Sequence, residues 1–172
     1  KEVMSMAKEE KILVVLTGGT IDSKFEPTKD TTVPSEQSIV LSYLLKLKLY
    51  NEFKFEKVCM KDSRELTLED QKKMIVAIRK SGCNKVIITH GTYTMVDTAQ
   101  YMQDNFKKSK TIVLTGSMSP LEGFYLSDAS FNLGYALASI QHLPKGVYIC
   151  MNGKVFKPEN VDKNRLEGRF EE

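Results

Sequence analysis

Hydroxyl side chains, glycines or both recur in this 172-residue chain, each time just after an apolar run. Thr17-Gly18-Gly19-Thr20 follows KILVVL. Lys61-Asp62-Ser63 follows FKFEKVCM, and His90-Gly91-Thr92-Tyr93-Thr94 follows KVIIT. Gly116-Ser117-Met118 and Met151-Asn152-Gly153 repeat the theme. Taken singly, each is an ordinary turn or helix cap. Gathered together, they would form a pocket of hydroxyls and backbone N–H groups with little charge. Such a pocket suits a small polar substrate and acyl chemistry with a threonine nucleophile, assisted by a base or a lowered pKa.

The apolar runs say how they could be gathered. Lys11–Leu16, Phe53–Met60, Lys85–Thr89, Thr111–Thr115 and Gly146–Met151 are rich in β-branched residues. Three of them are nearly continuous in apolar character, as parallel strands covered on both faces must be. Helix-length segments separate them: Ser35–Leu47, Thr67–Lys80, Met95–Phe106 and Ser127–Ile140. The second opens on Thr67-Leu68-Glu69-Asp70, close to a capping box, and Gly82 stands where a C-terminal cap belongs. This alternation predicts an α/β fold: a doubly wound, mainly parallel sheet in a Rossmann- or flavodoxin-like αβα sandwich. Ligands then bind beyond the carboxyl ends of the strands, where the hydroxyl clusters fall.

Together these stretches resemble the bacterial-type L-asparaginase family, which includes the glutaminase–asparaginases. TGGTI at Thr17–Ile21 is similar to the family's first signature. HGTYTMVDTA at His90–Ala99 is similar to its second, normally HGTDTM, and VLTGSMSP with SDASFNL resembles a later block. The resemblance implies that Thr20 is the acyl-accepting nucleophile. It implies that Thr92 handles water and the oxyanion, and that Lys163, in KPENVDKN, is the basic neighbour of Thr92. It places Gly19, Asp62, Ser63, Gly91, Tyr93 and Ser117 around the substrate, with Ser63 for its carboxylate and the Ser117 carbonyl towards its amide. No cofactor and no metal are implied, and the partner is a small amide or amino acid.

Three departures stand against the pattern. Tyr93 replaces the aspartate that grips the substrate's α-amino group. The mobile-loop tyrosine has no equivalent in Ser23–Pro34, which contains Phe25 but no Tyr. The family is normally about twice this length, its second domain supplying a further acidic contact. Asp22, two residues past Thr20, is the first choice to replace the lost charge, followed by Glu26, Asp62 or Asp97. The expected activity is hydrolysis of L-asparagine or a related primary amide. The alternatives are a catalytically weak or inactive binder of an amide, an amino acid or a partner protein, and a piece of an amidotransferase.

The domain is expected over residues 11–163, with a flexible N-terminal segment at 1–10 and a loose tail at 164–172. The loop Asp22–Pro34 is expected to be mobile and to close over the pocket. The dispersed lysines and a net charge of +3 argue against nucleic-acid binding. No run approaches the roughly 18 apolar residues of a membrane helix, and the N-terminal residues lack an apolar signal core. Cys59, Cys83 and Cys150 have no pairing spacing, which suggests reduced thiols and a cytoplasmic protein. No CxxC motif or close His–Cys pair suggests a metal site, and no GxGxxG or phosphate-loop motif is present. The family builds its sites at subunit contacts. With the aromatic residues Phe124, Tyr125, Phe131 and Tyr135, this leads to an expected homo-oligomer, a dimer or a tetramer.

Overall fold

A computed structural model of the chain describes residues 10–172. Of the N-terminal segment expected to be flexible, residues 1–9 lie outside the described residues. Five parallel strands form the sheet: β1 Ile12–Gly18, β4 Phe53–Lys61, β5 Lys85–Thr89, β6 Thr111–Thr115 and β7 Gly146–Met151. Their order across it is β4-β1-β5-β6-β7, and β8 (Lys154–Phe156) adds an antiparallel edge to β7. The side on which the chain adds its next strand therefore reverses between β1 and β5, the topological switch point of a flavodoxin-like sheet. The register keeps the strand ends level, since Leu16 faces Thr89 and Thr89 faces Thr115.

Helices cover both faces because β1 is apolar on both. Leu13 and Val15 pack against α2 (Leu68–Ser81) and α3 (Met95–Phe106) through Met74, Ile78, Met95 and Met102. Val14 and Leu16 pack on α1 (Ile39–Lys46) and α4 (Ala129–His142) through Val40, Leu44, Ala129 and Leu133. The period-2 alternation of a strand thus assigns each residue to one helical layer or the other. The three-layer αβα architecture is the one expected.

Two segments gain structure that the sequence did not announce. Within Asp22–Pro34, β2 (Ser23–Glu26) and β3 (Thr31–Pro34) pair antiparallel. The hairpin is held by its backbone ladder and leaves Phe25 half exposed, so hydrophobic alternation gave no sign of it. The last nine residues, expected as a loose tail, are tied down. There β10 (Arg169–Glu171) pairs with β9 (Asp162–Asn164), and Phe170 is buried in the α2–α3 core.

The start of α2 anchors the end of β4. Thr67 and Asp70 form a complete capping box, and Gly82 closes the helix in the left-handed conformation at φ 71°. Asp70 also accepts from Lys61 Nζ at 2.7 Å. Burial pushes the Asp70 carboxyl up. Hydrogen bonds from Lys61 and from the Thr67 backbone and hydroxyl outweigh it and hold the group at about 2, below its ordinary 3.8. A carboxyl held below its unfolded value stabilises the fold above that value, and the contribution fades as pH falls towards the folded value. Asp70→Asn should therefore cost about 1–2 kcal/mol at neutral pH. It should also remove part of the stability loss between about pH 4 and pH 2. Urea unfolding at several pH values measures both; equal pH dependence in the two proteins would contradict the assignment.

Candidate functional site

The loops after β1, β4 and β5 meet at the switch point by backbone contact. Gly19, at φ 77°, donates its N–H to the Lys61 carbonyl at 2.8 Å. A Cβ on Gly19 would stand 2.3 Å from the Gly91 nitrogen, and one on Gly91 would stand 2.7 Å from Ser63 Oγ. Only hydrogen fits at these two positions, so the three loops touch there. Thr94 Oγ1 donates to the Ser63 carbonyl at 2.8 Å, fastening the β5 loop to the turn after β4. Thr20 directly follows Gly19, and Thr92 directly follows Gly91. The Thr20 side chain is half-buried, and its hydroxyl makes no hydrogen bond to any described residue.

Thr92 is buried and accepts a hydrogen bond from Lys163 Nζ at 2.6 Å. That contact joins residues 71 apart in sequence and depends on β9, which presents Lys163 opposite Phe170. Burial pushes the Lys163 ammonium below its ordinary lysine value. Arg165 and Arg64 lower it further, and Asp62 opposes them. Lys163 also sits 4.2 Å from the centre of the Tyr93 ring, with Arg64 at 4.6 Å and Arg165 at 5.3 Å. Tyr93 remains 46% exposed.

The remaining expected residues fall nearby in different states. Asp62 caps the short turn Ser63–Glu65 and pairs with Arg64 at 2.7 Å. Ser63 is 2% exposed, and its hydroxyl has no partner among the described residues. Ser117 is buried after β6, where its hydroxyl donates to the Ser119 carbonyl. The β6 loop reaches the β5 loop through Gly116, whose Cβ would stand 2.2 Å from the His90 carbonyl.

Asp22 is a correction. Its carboxylate is 0% exposed and accepts from Ser38 Oγ and the Val40 N–H at 2.9 Å each. It ties Thr20–Asp22 to the start of α1, and burial pushes its carboxyl up. Solvent and a substrate ammonium have no access to it. Glu26 is likewise engaged, accepting from Thr28 Oγ1 at 2.7 Å.

Arg64, Arg165 and His90 belong to this neighbourhood and were not singled out from sequence as parts of a site. His90 is fully buried, with Nδ1 2.7 Å from the Gly91 carbonyl and Nε2 unpartnered among the described residues. Burial lowers its pKa to about 4, so the imidazole is neutral at pH 7. No local pattern marks the two arginines, because only the fold brings their loops to Tyr93. A separate groove of about 610 Å³ runs between β4 and α2, bordered by Lys54, Lys57, Lys72 and Lys73. It lies along the sheet edge, away from the hydroxyl cluster.

A family model described as the N-terminal domain of asparaginase matches residues 11–169. A glutaminase-asparaginase of Acinetobacter glutaminasificans is 29% identical over 165 residues, covering 88% of this chain and 49% of that protein. A probable periplasmic L-asparaginase of Haemophilus influenzae is 27% identical over 160 residues, covering 88% and 46%. A solved structure, a probable cytoplasmic L-asparaginase from Campylobacter jejuni, matches with a TM-score of 0.75 at 27% identity. It covers 90% of this chain and 50% of that one. The chain spans about half the length of the curated relatives it matches.

The close approach of Gly19 to Gly91 has a direct consequence. Gly19→Ala places a methyl against backbone in a conformation that suits only glycine, so it should destabilise by about 2 kcal/mol or more. Gly82→Ala meets open space and should cost only its left-handed backbone strain, about 1 kcal/mol. Thermal unfolding of both variants checks the ranking; a milder effect at Gly19 than at Gly82 would refute it.

Proposed function

The chain belongs to the asparaginase family, whose N-terminal domain it matches, and from that premise we propose that it hydrolyses a small primary amide, L-asparagine or a relative, to the acid and ammonia. The Thr20 oxygen attacks the amide carbon, and the Thr92 backbone N–H steadies the oxyanion. The C–N bond then breaks, and the nitrogen leaves as ammonia with the proton given up by Thr20. Water, deprotonated through Thr92 and Lys163, adds to the resulting ester. The C–O bond to Thr20 breaks, releasing the acid and returning the proton to Thr20.

The observation that supports this most is the 2.6 Å contact between Lys163 and Thr92. A lysine held below its ordinary pKa is the kind of base that a threonine hydroxyl requires. The unpartnered Ser63 hydroxyl beside Gly91 adds a donor suited to a substrate carboxylate. One observation favours a second reading, a weakly active or inactive binder. The position expected to hold an acidic anchor holds Tyr93 with three cations around it.

Cytoplasmic residence is part of the same proposal, supported by three free thiols. So is a homo-oligomer, a dimer or a tetramer, supported by exposed Phe124, Tyr125, Leu126 and Phe131. Light scattering at micromolar concentration should show more than a monomer; a monomer throughout would remove this part.

Ammonia release from a panel of primary amides tests the activity. Thr20→Ala should lower kcat/KM by about a thousandfold or more, and retention of wild-type rate would end the nucleophile assignment. In the same assay across pH, the rate should rise as Lys163 loses its proton, along a limb below the ordinary lysine range. Tyr93→Asp adds a negative neighbour, which favours the ammonium, so the limb should move to higher pH. An unmoved limb would mean that Lys163 is not the base.

A further inference from the structure

The charge around Tyr93 has the wrong sign for a substrate ammonium. Arg64 comes from the turn after β4, Lys163 from β9 and Arg165 from the loop that follows β9. All three lie within 5.3 Å of the ring centre. Asp62 pairs with Arg64 through both oxygens, at 3.0 and 2.7 Å. Asp162 accepts from the Lys163 backbone N–H at 2.7 Å. Glu65 acts on Arg64 from the same turn without an ion pair. Among the described residues Arg165 makes no ion pair with a carboxylate. With Lys163 neutral, two arginines still face one carboxylate in direct contact.

Ser63 supplies an independent sign of what the site receives. Its hydroxyl is buried and unpartnered, lies against Gly91, and follows Asp62 in the turn that carries Arg64. A buried donor without an acceptor costs free energy unless a ligand completes it. A donor set in positive potential calls for an oxyanion. Asp22, the nearest in sequence to Thr20, is sealed beneath α1.

We propose that this site takes the ω-monoamide of a small dicarboxylic acid with no ammonium on its α-carbon, its free carboxylate recognised by the Ser63 hydroxyl in the field of Arg64 and Arg165. The inference rests on the amidohydrolase reading for the fate of the amide: one water enters, and a dicarboxylate and an ammonium ion leave. Recognition of the carboxylate stands on the cations and Ser63 alone. The α-ammonium of an amino-acid amide would meet the same cations and be repelled.

Isothermal titration calorimetry on the full chain tests recognition without depending on turnover. The probes are succinamate, succinate, L-asparagine and propionamide. Succinamate and succinate should bind at least about tenfold more tightly than L-asparagine and propionamide, and added salt should weaken them. Arg165→Gln should shrink that preference severalfold, and Arg165→Lys should restore much of it, with thermal unfolding confirming that both are folded. L-asparagine binding as well as succinamate would overturn the proposal. So would no binding of either dicarboxylate probe, or a preference indifferent to Arg165, which would make the cations a surface packing cluster. Ammonia assays separate this result from the broader reading. Tight succinamate binding without ammonia release sinks the hydrolase and leaves the recognition. Ammonia release from L-asparagine without a preference for succinamate does the reverse.

Discussion

Everything at the strand ends depends on two backbones approaching with no side chain between them. Gly19 and Gly91 sit just past the ends of the two strands that flank the switch point, and neither tolerates a Cβ. That contact sets the spacing of the residues that follow, Thr20 and Thr92. It also holds Gly91 against the Ser63 hydroxyl, which brings in the turn after β4. Three loops far apart in sequence are thereby positioned by one packing constraint. The sheet register supports it from below, because level strand ends deliver the loops to the same height.

The electrostatics of the site follow from where the C-terminal hairpin returns. β9 lays Lys163 onto Thr92, and the turn after it sends Arg165 towards Tyr93. Phe170 anchors the hairpin in the α2–α3 core, and the Asn152 side chain accepts the Phe170 N–H at 3.0 Å. The contact of Lys163 with Thr92 thus depends on an apolar anchor seven residues further along the chain. Burial depresses Lys163 most, and the hairpin adds Arg165 to the Arg64 of the β4 turn, each cation further disfavouring the ammonium. Base strength and charge preference at this site are therefore coupled: a change to Arg165 alters both.

The departures from the family pattern act together. Tyr93 removes a negative charge from beside Lys163, and Arg64 and Arg165 occupy the surroundings of its ring. An aspartate there would stabilise the lysine ammonium and offer a substrate ammonium a partner. A tyrosine does neither, yet its ring face is compatible with cations. The contact from Lys163 to Thr92 is present all the same.

The sequence by itself determined the layered fold, because strand runs apolar on both faces can only be buried between two helical layers. It determined the helix ends where local chemistry suffices: Thr67 with Asp70 at one end of α2, and Gly82 at the other. It also marked Thr20, Ser63, Thr92 and Lys163, through motifs at strand ends and a resemblance. Tertiary structure decided what each of these meets. Asp22 looked available beside Thr20, but its neighbours Ser38 and Val40 come from the start of α1, so it became a buried cap. The β2–β3 and β9–β10 hairpins left little trace in the sequence, because backbone pairing holds them and few apolar side chains report it. The convergence of Arg64, Lys163 and Arg165 on Tyr93 was invisible for the same reason. Charge is a sum over neighbours in space, and those neighbours are fixed by the packing of separate elements.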